Sequence, residues 1–367
     1  MADKIKNPFF DVSEIDKKEY LSARCSLNRG IMKKLPVYGI DDEIEGKAFS
    51  EIFSSKLIAE DIKKVAKSYN LYSFGVSDRK LIKDMNDALV SDNILMRSLS
   101  QKIAIKYGKR LGLILLSLKS PNKENIDART DWNEDCWNYY KNLKTVILTG
   151  GLSSAMLGRK FKEQILYVFD YAGIKPYNIM LFENGEYLGI MGCAQSLQKD
   201  NTVSLSLDLG HTAIKRGLIK KSNGIISEFV PMESLESRYM ENEFLSSADR
   251  LSKAIDLHKY LIKSIVSSYK KGKEKYDLSD EILISIASYT YSGILNDTRG
   301  GYAKLKEMGT FYDKILSEDL SGELHKRVQV KLVHDGTATA LYFSDIDDSV
   351  CISLGTSFGV GFPNIQI

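Results

Sequence analysis

The sequence predicts an α/β protein built from two lobes. Apolar stretches at 145–149, 203–209 and 328–333 have the character of buried strands, and each runs into a turn of glycine, acidic or hydroxyl residues. A strand that leads through such a turn into a helix is the repeating unit of α/β folds. With 367 residues, the chain is long for one domain and sufficient for two.

The composition is that of an ordinary globular protein, with 43% apolar and 27% charged residues. The net charge of +3 gives no strong field, so we expect no nucleic-acid partner. The four cysteines are scattered without a CxxC pair, which argues against a disulfide framework and against a structural zinc site. No signal-type segment and no run of 18 apolar residues is present, so we expect a cytoplasmic protein without a membrane partner.

The first half of the chain reads mainly as helix. Residues 1–43 give no clear pattern, whereas 45–117 show helical periodicity, with Ser77 as a helix N-cap and a long helix over about 92–118. The polar segment 119–141 is predicted to be an inserted loop. The strand at 145–149 leads into Gly150 and Gly151 and then a helix. This geometry is typical of a nucleotide site in α/β proteins, and a plain strand-to-helix turn is the alternative. Small residues at 187–197 predict a helix start that packs tightly on a neighbouring backbone.

The second half is predicted to begin with a β-hairpin at 203–219. Asp208 ends its first strand, and Gly210, Thr212 and Lys215 follow, an arrangement that suits Mg²⁺ and a polyphosphate. An ordinary hairpin with a surface Asp is the alternative.

A helix over 243–269 and a strand at 282–287 come next. The strand at 328–333 ends at His334 and Asp335, and a helix should start there. Asp335 could serve as a catalytic base or simply cap this helix. The final strand, 349–354, runs into Gly355, Thr356 and Ser357, which offer backbone N–H groups and hydroxyls to a phosphate.

Together these segments resemble the sugar kinases of the actin-like ATPase superfamily, both hexokinases and the bacterial ROK (repressor, ORF, kinase) family. LDLGHTAIK at 207–215 is similar to the first phosphate loop (DxGGTxxK), VHDGTATA at 333–340 to the catalytic loop (NDxxAA), and LGTSFGVG at 354–361 to the second phosphate loop (GTGxGxG). VILTGGLS at 146–153 resembles the adenosine motif, and GIMGCA at 189–194 resembles the closing GxxGAA helix. FSEIFSSK at 49–56 is similar to the family's LExxSG segment, and LNDTRGGY at 295–302 to the hexokinase sugar loop.

The matched blocks occur in exchanged order. The segment like the family's C-terminal half precedes the segment like its N-terminal half, as in a circular permutation. The resemblance therefore implies a two-lobed actin-like (ribonuclease H-like) fold with permuted halves, divided into an unassigned segment 1–43, an adenosine-side lobe 44–200 and a lobe 201–367 with the phosphate and catalytic loops. His211 stands at the second glycine of DxGGT, and His334 stands at the usual Asn.

The resemblance implies an ATP-dependent sugar kinase that uses ATP and Mg²⁺. Asp335 would be the general base, and Asp208 would hold Mg²⁺ through water. The other implied contacts fall into three sets. These are the phosphate contacts Gly210, Thr212, Lys215, Gly355, Thr356 and Ser357, the adenosine contacts Gly150 and Gly151, and the sugar contacts Thr298, Arg299, His334 and Glu51.

Two other functions remain open at the sequence level. One is an inactive nucleotide- or sugar-binding regulator on the same scaffold, and the other is a kinase of a non-sugar small molecule. A homodimer is left open as the assembly.

Overall fold

The computed structural model describes residues 6–69, 75–182, 185–238, 241, 246–296 and 300–364. Within these ranges the strands β1 to β13 are, in chain order, Phe10–Val12, Glu19–Leu21, Thr145–Thr149, Asn178–Leu181, Val203–Leu209, Ala213–Ser222, Ile225–Glu236, Leu278–Ile286, Thr290–Tyr291, Ile294–Leu295, Gln329–His334, Ser349–Leu354 and Phe358–Gly361. The α-helices α1 to α11 are Phe49–Ile52, Ser55–Ser68, Asp78–Ala88, Ile94–Lys119, Lys123–Asp127, Glu134–Asn142, Ala155–Tyr171, Leu188–Cys193, Ser247–Lys273, Tyr312–Leu324 and Asp335–Leu341. The mixed order of strands and helices confirms the predicted α/β class.

The chain forms two compact units, neither of them contiguous in sequence. The first unit contains the described residues of Met1–Phe9, Arg24–Glu186 and Asp348–Val360. The second contains those of Phe10–Ala23, Tyr187–Asp347 and Gly361–Ile367.

The second unit is organised around a five-stranded sheet with the order β11-β8-β5-β6-β7. Strands β5, β6 and β7 are antiparallel neighbours, whereas β8 is parallel to β5 and β11 is parallel to β8. Strand β8 lies between β5 and β11 and is buried along almost its whole length, which suits its apolar residues Ile282, Leu283, Ile284 and Ile286. Parallel pairing brings the carboxyl ends of β5, β8 and β11 to one edge of the sheet.

The first unit contains a four-stranded sheet with the order β13-β12-β3-β4. Strand β12 pairs in parallel with β3, and β3 pairs in parallel with β4. All five residues of β3 are buried. The sheet therefore joins strands that lie about two hundred residues apart in the chain.

The boundaries of the units differ from the predicted divisions at 43 and 200. Strands β12 and β13 belong to the first unit because β12 pairs with β3. Helix α8 belongs to the second unit because it packs on α11, β5 and β8. The segment 1–43 is not separate, since its hairpin β1–β2 lies in the second unit and the residues after it lie in the first.

Most predicted helices and strands are confirmed near their expected limits. The side chain of Ser77 accepts a hydrogen bond from the backbone N–H of Lys80 at 3.4 Å and caps α3, as predicted. The long helix is α4, and the expected hairpin is β5–β6. The loop predicted at 119–141 is wrong, because α5 and α6 form there. Helix α6 buries Cys136, Trp137, Tyr139 and Tyr140, an aromatic face that outweighs the polar composition of the segment.

Candidate functional site

Asp208 lies at the carboxyl end of β5 and is held by neighbours from three elements. Ser285 on β8 donates a hydrogen bond from its hydroxyl to Asp208 Oδ1 at 2.8 Å, and the Nζ of Lys215 on β6 lies 3.5 Å from Oδ2. A Cβ at Gly189 in α8 would lie only 3.0 Å from Oδ1, so the missing side chain leaves room for the carboxylate. Only 14% of the Asp208 side chain is exposed. The carboxylate is thus fixed in orientation before any ligand binds.

The turn after Asp208 exposes the groups that the sequence assigned to phosphate. The carbonyl of Gly210 accepts hydrogen bonds from the hydroxyls of Ser237 at 2.6 Å and Tyr302 at 3.1 Å. Both His211 and Thr212 are exposed to solvent. The turn is therefore anchored through its backbone, which leaves its side chains accessible.

Asp335 lies on the same edge of the same sheet as Asp208. In the strand register Asp208 pairs with Ser285, which in turn pairs with Val333, two residues before Asp335. At a strand spacing of about 4.8 Å, β5 and β11 are about 10 Å apart. Burial and the negative charge of Asp208 raise the pKa of Asp335 to about 7. The side chain is still 38% exposed, so the carboxyl can reach a ligand and can change protonation near neutral pH.

His334 fixes the start of α11 and the position of Asp335. Its Nδ1 accepts a hydrogen bond from the backbone N–H of Thr337 at 3.2 Å, which caps the helix. The ring proton therefore lies on Nε2, which is 3.2 Å from Asp335 Oδ1 and can donate to it. The ring is stacked on Tyr289 with a centroid distance of 4.2 Å. Because both nitrogens have partners within this loop, His334 is a positioning residue in the structure rather than a group free to bind a sugar.

In the first unit, the two predicted glycine loops lie against each other. Gly150 has a φ of +87°, and a Cβ there would lie 2.6 Å from the carbonyl oxygen of Leu354. A side chain at Gly150 would therefore collide with the strand end that leads into Gly355. The hydroxyl of Ser153 donates to the Gly150 carbonyl at 2.9 Å and closes the turn. The structure thus brings the Gly150 and Gly355 loops together within one unit.

An asparagine that sequence reasoning missed holds the far side of the Gly355 loop. The side chain of Asn28 donates to the Phe358 carbonyl at 2.7 Å and accepts from its N–H at 2.9 Å. No local pattern could identify this role, because the partner of Asn28 lies 330 positions along the chain. Thr356 and Ser357, between Gly355 and Phe358, are exposed.

The structure gives one of the predicted sugar contacts, Glu51, a local role and does not describe two others. In the first unit, the Glu51 side chain is exposed and accepts a hydrogen bond from the backbone N–H of Ala48 at 2.9 Å, so it caps α1. Thr298 and Arg299 lie outside the described residues. Sequence reasoning also missed Ser285 and Tyr289, whose importance depends on contacts with distant segments.

The acidic residues of the second unit are compatible with Mg²⁺. Within the part of the chain that the structure describes, no group of three or more His, Cys, Asp or Glu side chains is placed to hold a metal. Mg²⁺ does not require one, because it retains several waters and is usually bound by one or two carboxylates together with substrate phosphates. Asp208, as a single carboxylate, meets that lower requirement. No helix in the described ranges is long and apolar enough to cross a membrane.

Comparison with known proteins gives only distant similarities. No family model and no curated protein matches the chain. Among solved structures it is similar to the ethanolamine utilization protein EutJ from Carboxydothermus hydrogenoformans, with 14% identity, a TM-score of 0.26 and coverage of 51% of this chain and 60% of that one. It is also similar to the PilM-PilN type IV pilus biogenesis complex, with 12% identity, a TM-score of 0.27 and 49% coverage of both chains.

A third similar structure is an exopolyphosphatase-like protein, with 8% identity, a TM-score of 0.25 and coverage of 70% of this chain and 83% of that one. The chain spans less than two thirds of the length of the first two structures. At TM-scores this low, none of the three carries an argument about function.

Proposed function

We propose that this protein transfers the γ-phosphoryl group of ATP to a hydroxyl of a sugar, a hexose or an N-acetylhexosamine. The observation that supports this most is the placement of Asp208 and Asp335 at one edge of one sheet, with the pKa of Asp335 raised to about 7. A carboxylate with such a pKa is suited to accept a proton at neutral pH, as the general base of a kinase must.

The strand order supports an actin-like, ribonuclease H-like scaffold for this activity. In the second unit the antiparallel strands β5, β6 and β7 are extended by the two parallel strands β8 and β11. In the first unit the last two strands of the chain join β3 and β4. This pairing supports the proposal that the halves are permuted, since the segments similar to the second phosphate loop and the adenosine motif then belong to one lobe.

Each residue has a defined role in the proposed reaction. Asp335 takes the proton of the attacking hydroxyl, and His334 holds the carboxyl through Nε2. Asp208 would hold Mg²⁺ through water, and the ion would neutralise charge on the phosphates. In the second unit we assign Gly210, Thr212 and Lys215 to the phosphates.

In the first unit we assign Gly355, Thr356 and Ser357 to phosphate and Gly150 and Gly151 to adenosine. These loops offer free hydroxyls and a closely packed, side-chain-free backbone.

The decisive test is ATP turnover with a panel of hexoses and N-acetylhexosamines. We expect the wild-type protein to phosphorylate at least one sugar, and Asp335→Asn to lower kcat about 10²- to 10⁴-fold with ATP affinity retained. Asp345→Asn, which changes an exposed acid of the same unit, is the matched control and should leave kcat unchanged. If neither the wild-type protein nor Asp335→Asn phosphorylated any sugar while both still bound ATP, the proposed sugar kinase activity would be refuted.

One contact favours an inactive nucleotide- or sugar-binding regulator as the second candidate. Lys215 and Ser285 already contact the two carboxylate oxygens of Asp208. An acid with a purely structural role would have its oxygens satisfied by the protein in the same way. That protein would bind ATP without turning it over on any sugar or non-sugar alcohol. A kinase of a non-sugar substrate would instead be silent on sugars and active on another alcohol.

A further inference from the structure

The second unit contains a cavity that the proposed reaction does not use. Its volume is about 400 Å³, within the range of small-molecule sites. It is open to solvent on one side and is lined by the hairpin β1–β2, by the hairpin β9–β10, by the start of α10 and by strand β11. Asp335 is not among the lining residues, whereas His334 forms part of the wall.

Asp313, at the start of α10, presents an uncommitted acceptor to this cavity. Its Oδ1 accepts a hydrogen bond from the backbone N–H of Lys314 at 2.8 Å. Among the described residues Oδ2 accepts no hydrogen bond and the carboxylate forms no ion pair within 4 Å, although the positive charge of Lys314 acts on it. Gly293, with a φ of +78°, makes room for it, since a Cβ there would lie 1.9 Å from Oδ1. Burial raises the pKa of Asp313, while the backbone N–H and the charge of Lys314 act in the opposite direction.

The rest of the wall combines aromatic rings with neutral hydrogen-bonding groups. Tyr20 and Tyr291 are stacked, with ring centroids 4.4 Å apart. Thr290 is buried, and its hydroxyl has no hydrogen-bond partner among the described residues. Rings that pack against C–H groups, beside hydroxyls and one free carboxylate oxygen, match the surface of a sugar or polyol.

The charges around the cavity do not favour an anionic ligand. Lysines 18, 314 and 331 line it, but so do the acids Asp16, Glu19 and Asp313. The Nζ of Lys331 is committed to Glu281 at 2.8 Å and to the Ser196 carbonyl at 2.9 Å. A phosphorylated ligand would approach the free oxygen of Asp313 without a matching cluster of cations.

We propose that this cavity binds a neutral polyhydroxylated small molecule of about the size of a monosaccharide, at a site separate from Asp335. Asp313 Oδ2 accepts hydrogen bonds from its hydroxyls, and the tyrosine pair contacts its C–H face. The proposal uses contacts within the second unit only, so it does not depend on phosphoryl transfer.

The test is direct binding, measured by titration calorimetry and saturation-transfer NMR without nucleotide. The probes are neutral hexoses, N-acetylhexosamines and hexitols, together with hexose 6-phosphates as the charged arm. We expect at least one neutral probe to bind saturably with a Kd below about 1 mM. Asp313→Asn should weaken it about 10- to 100-fold, because the acceptor loses its charge and hydrogen bonds to charged groups are the stronger ones. Asp335→Asn should keep the binding.

Glu318→Gln is the matched control, since it changes an exposed carboxylate of the same helix outside the cavity. It should leave the Kd unchanged. Thermal unfolding of Asp313→Asn guards against a folding defect, and we expect no loss of stability because a poorly compensated charge is removed. Three results would overturn the proposal: no binding of any neutral probe, binding that Asp313→Asn does not weaken, or tighter binding of the 6-phosphate than of the parent sugar.

Discussion

At the scale of single residues, His334 shows how a substitution in a motif can preserve geometry. The resemblance places an Asn at this position, and Asn caps helices by accepting a backbone N–H. His334 Nδ1 does the same for the N–H of Thr337. The ring then adds a second contact that is directed at Asp335, and its face is covered by Tyr289. The histidine thus keeps the cap and also restricts the carboxyl.

The raised pKa of Asp335 predicts a pH-dependent effect on stability. In the folded state the pKa is about 7, whereas the unfolded value is 3.8. The folded protein therefore binds this proton more tightly, and stability is lost as the pH rises from about 4 through 7. Asp335→Asn mimics the protonated form and does not titrate. We expect the variant to be more stable than wild type at pH 8, by about 1 kcal/mol, because solvent screening of a side chain over a third exposed reduces the full effect.

The measurement is the difference in Tm between Asp335→Asn and wild type at pH 5 and at pH 8. The difference should grow in favour of the variant toward pH 8. Asp345→Asn, at an exposed position, should change Tm little at either pH. A variant that is less stable than wild type at pH 8 would show that the ionised carboxylate stabilises the fold.

At the scale of helices and strands, the sequence predicts an element correctly where the periodicity of its apolar residues matches the residues that are buried. The hairpin β5–β6 has alternating leucines and a glycine in its turn, and helix α3 begins after a serine cap. Asp208, the Gly150 loop and the Gly355 loop could be singled out for the same reason, because each follows a strand with a buried sequence.

Other elements depend on contacts that no local pattern encodes. Helix α6 is stabilised by an aromatic cluster, in which Trp132 is stacked on Tyr140 with centroids 5.2 Å apart. The hairpin β1–β2 has only three residues in each strand, too few to give a recognisable alternation. Ser285 and Asn28 matter only because distant strands bring Asp208 and Phe358 to them.

The contact between α8 and α11 predicts a large cost for one added methyl group. A Cβ at Gly192 would lie 1.6 Å from the backbone oxygen of Ala338. Since backbone cannot yield as a flexible side chain does, Gly192→Ala should lower the free energy of unfolding by about 3 kcal/mol. The measurement is urea unfolding followed by circular dichroism.

The matched control is Gly322→Ala in helix α10. A Cβ at Gly322 would meet no atom within 4 Å, so the alanine should stabilise that helix by about 0.5–1 kcal/mol. Opposite signs for the two substitutions would support close packing as the cause. A Gly192→Ala variant as stable as wild type would show that α8 and α11 are farther apart.

At the scale of the whole molecule, the chain contributes to each unit from several separate segments. Strand β12 lies near the end of the sequence but pairs with β3, and the second-unit segment Tyr187–Asp347 lies between them in the chain. Local stability should therefore follow spatial pairing rather than position in the chain. Sequence periodicity locates the strands but cannot assign them to sheets, which is why the predicted boundaries at 43 and 200 differ from those of the units.

Two matched substitutions can reveal this organisation. Ile352 in β12 and Ile284 in β8 are both fully buried in strands with a neighbour on each side. Each change to alanine should cost about 2–5 kcal/mol. In native-state hydrogen exchange, Ile352→Ala should reduce protection in β3 and β4, some two hundred residues earlier, while β5 and β11 keep theirs. Ile284→Ala should do the reverse. If both variants lose protection equally throughout, the two units unfold as one cooperative body, and the division of the chain has no energetic counterpart.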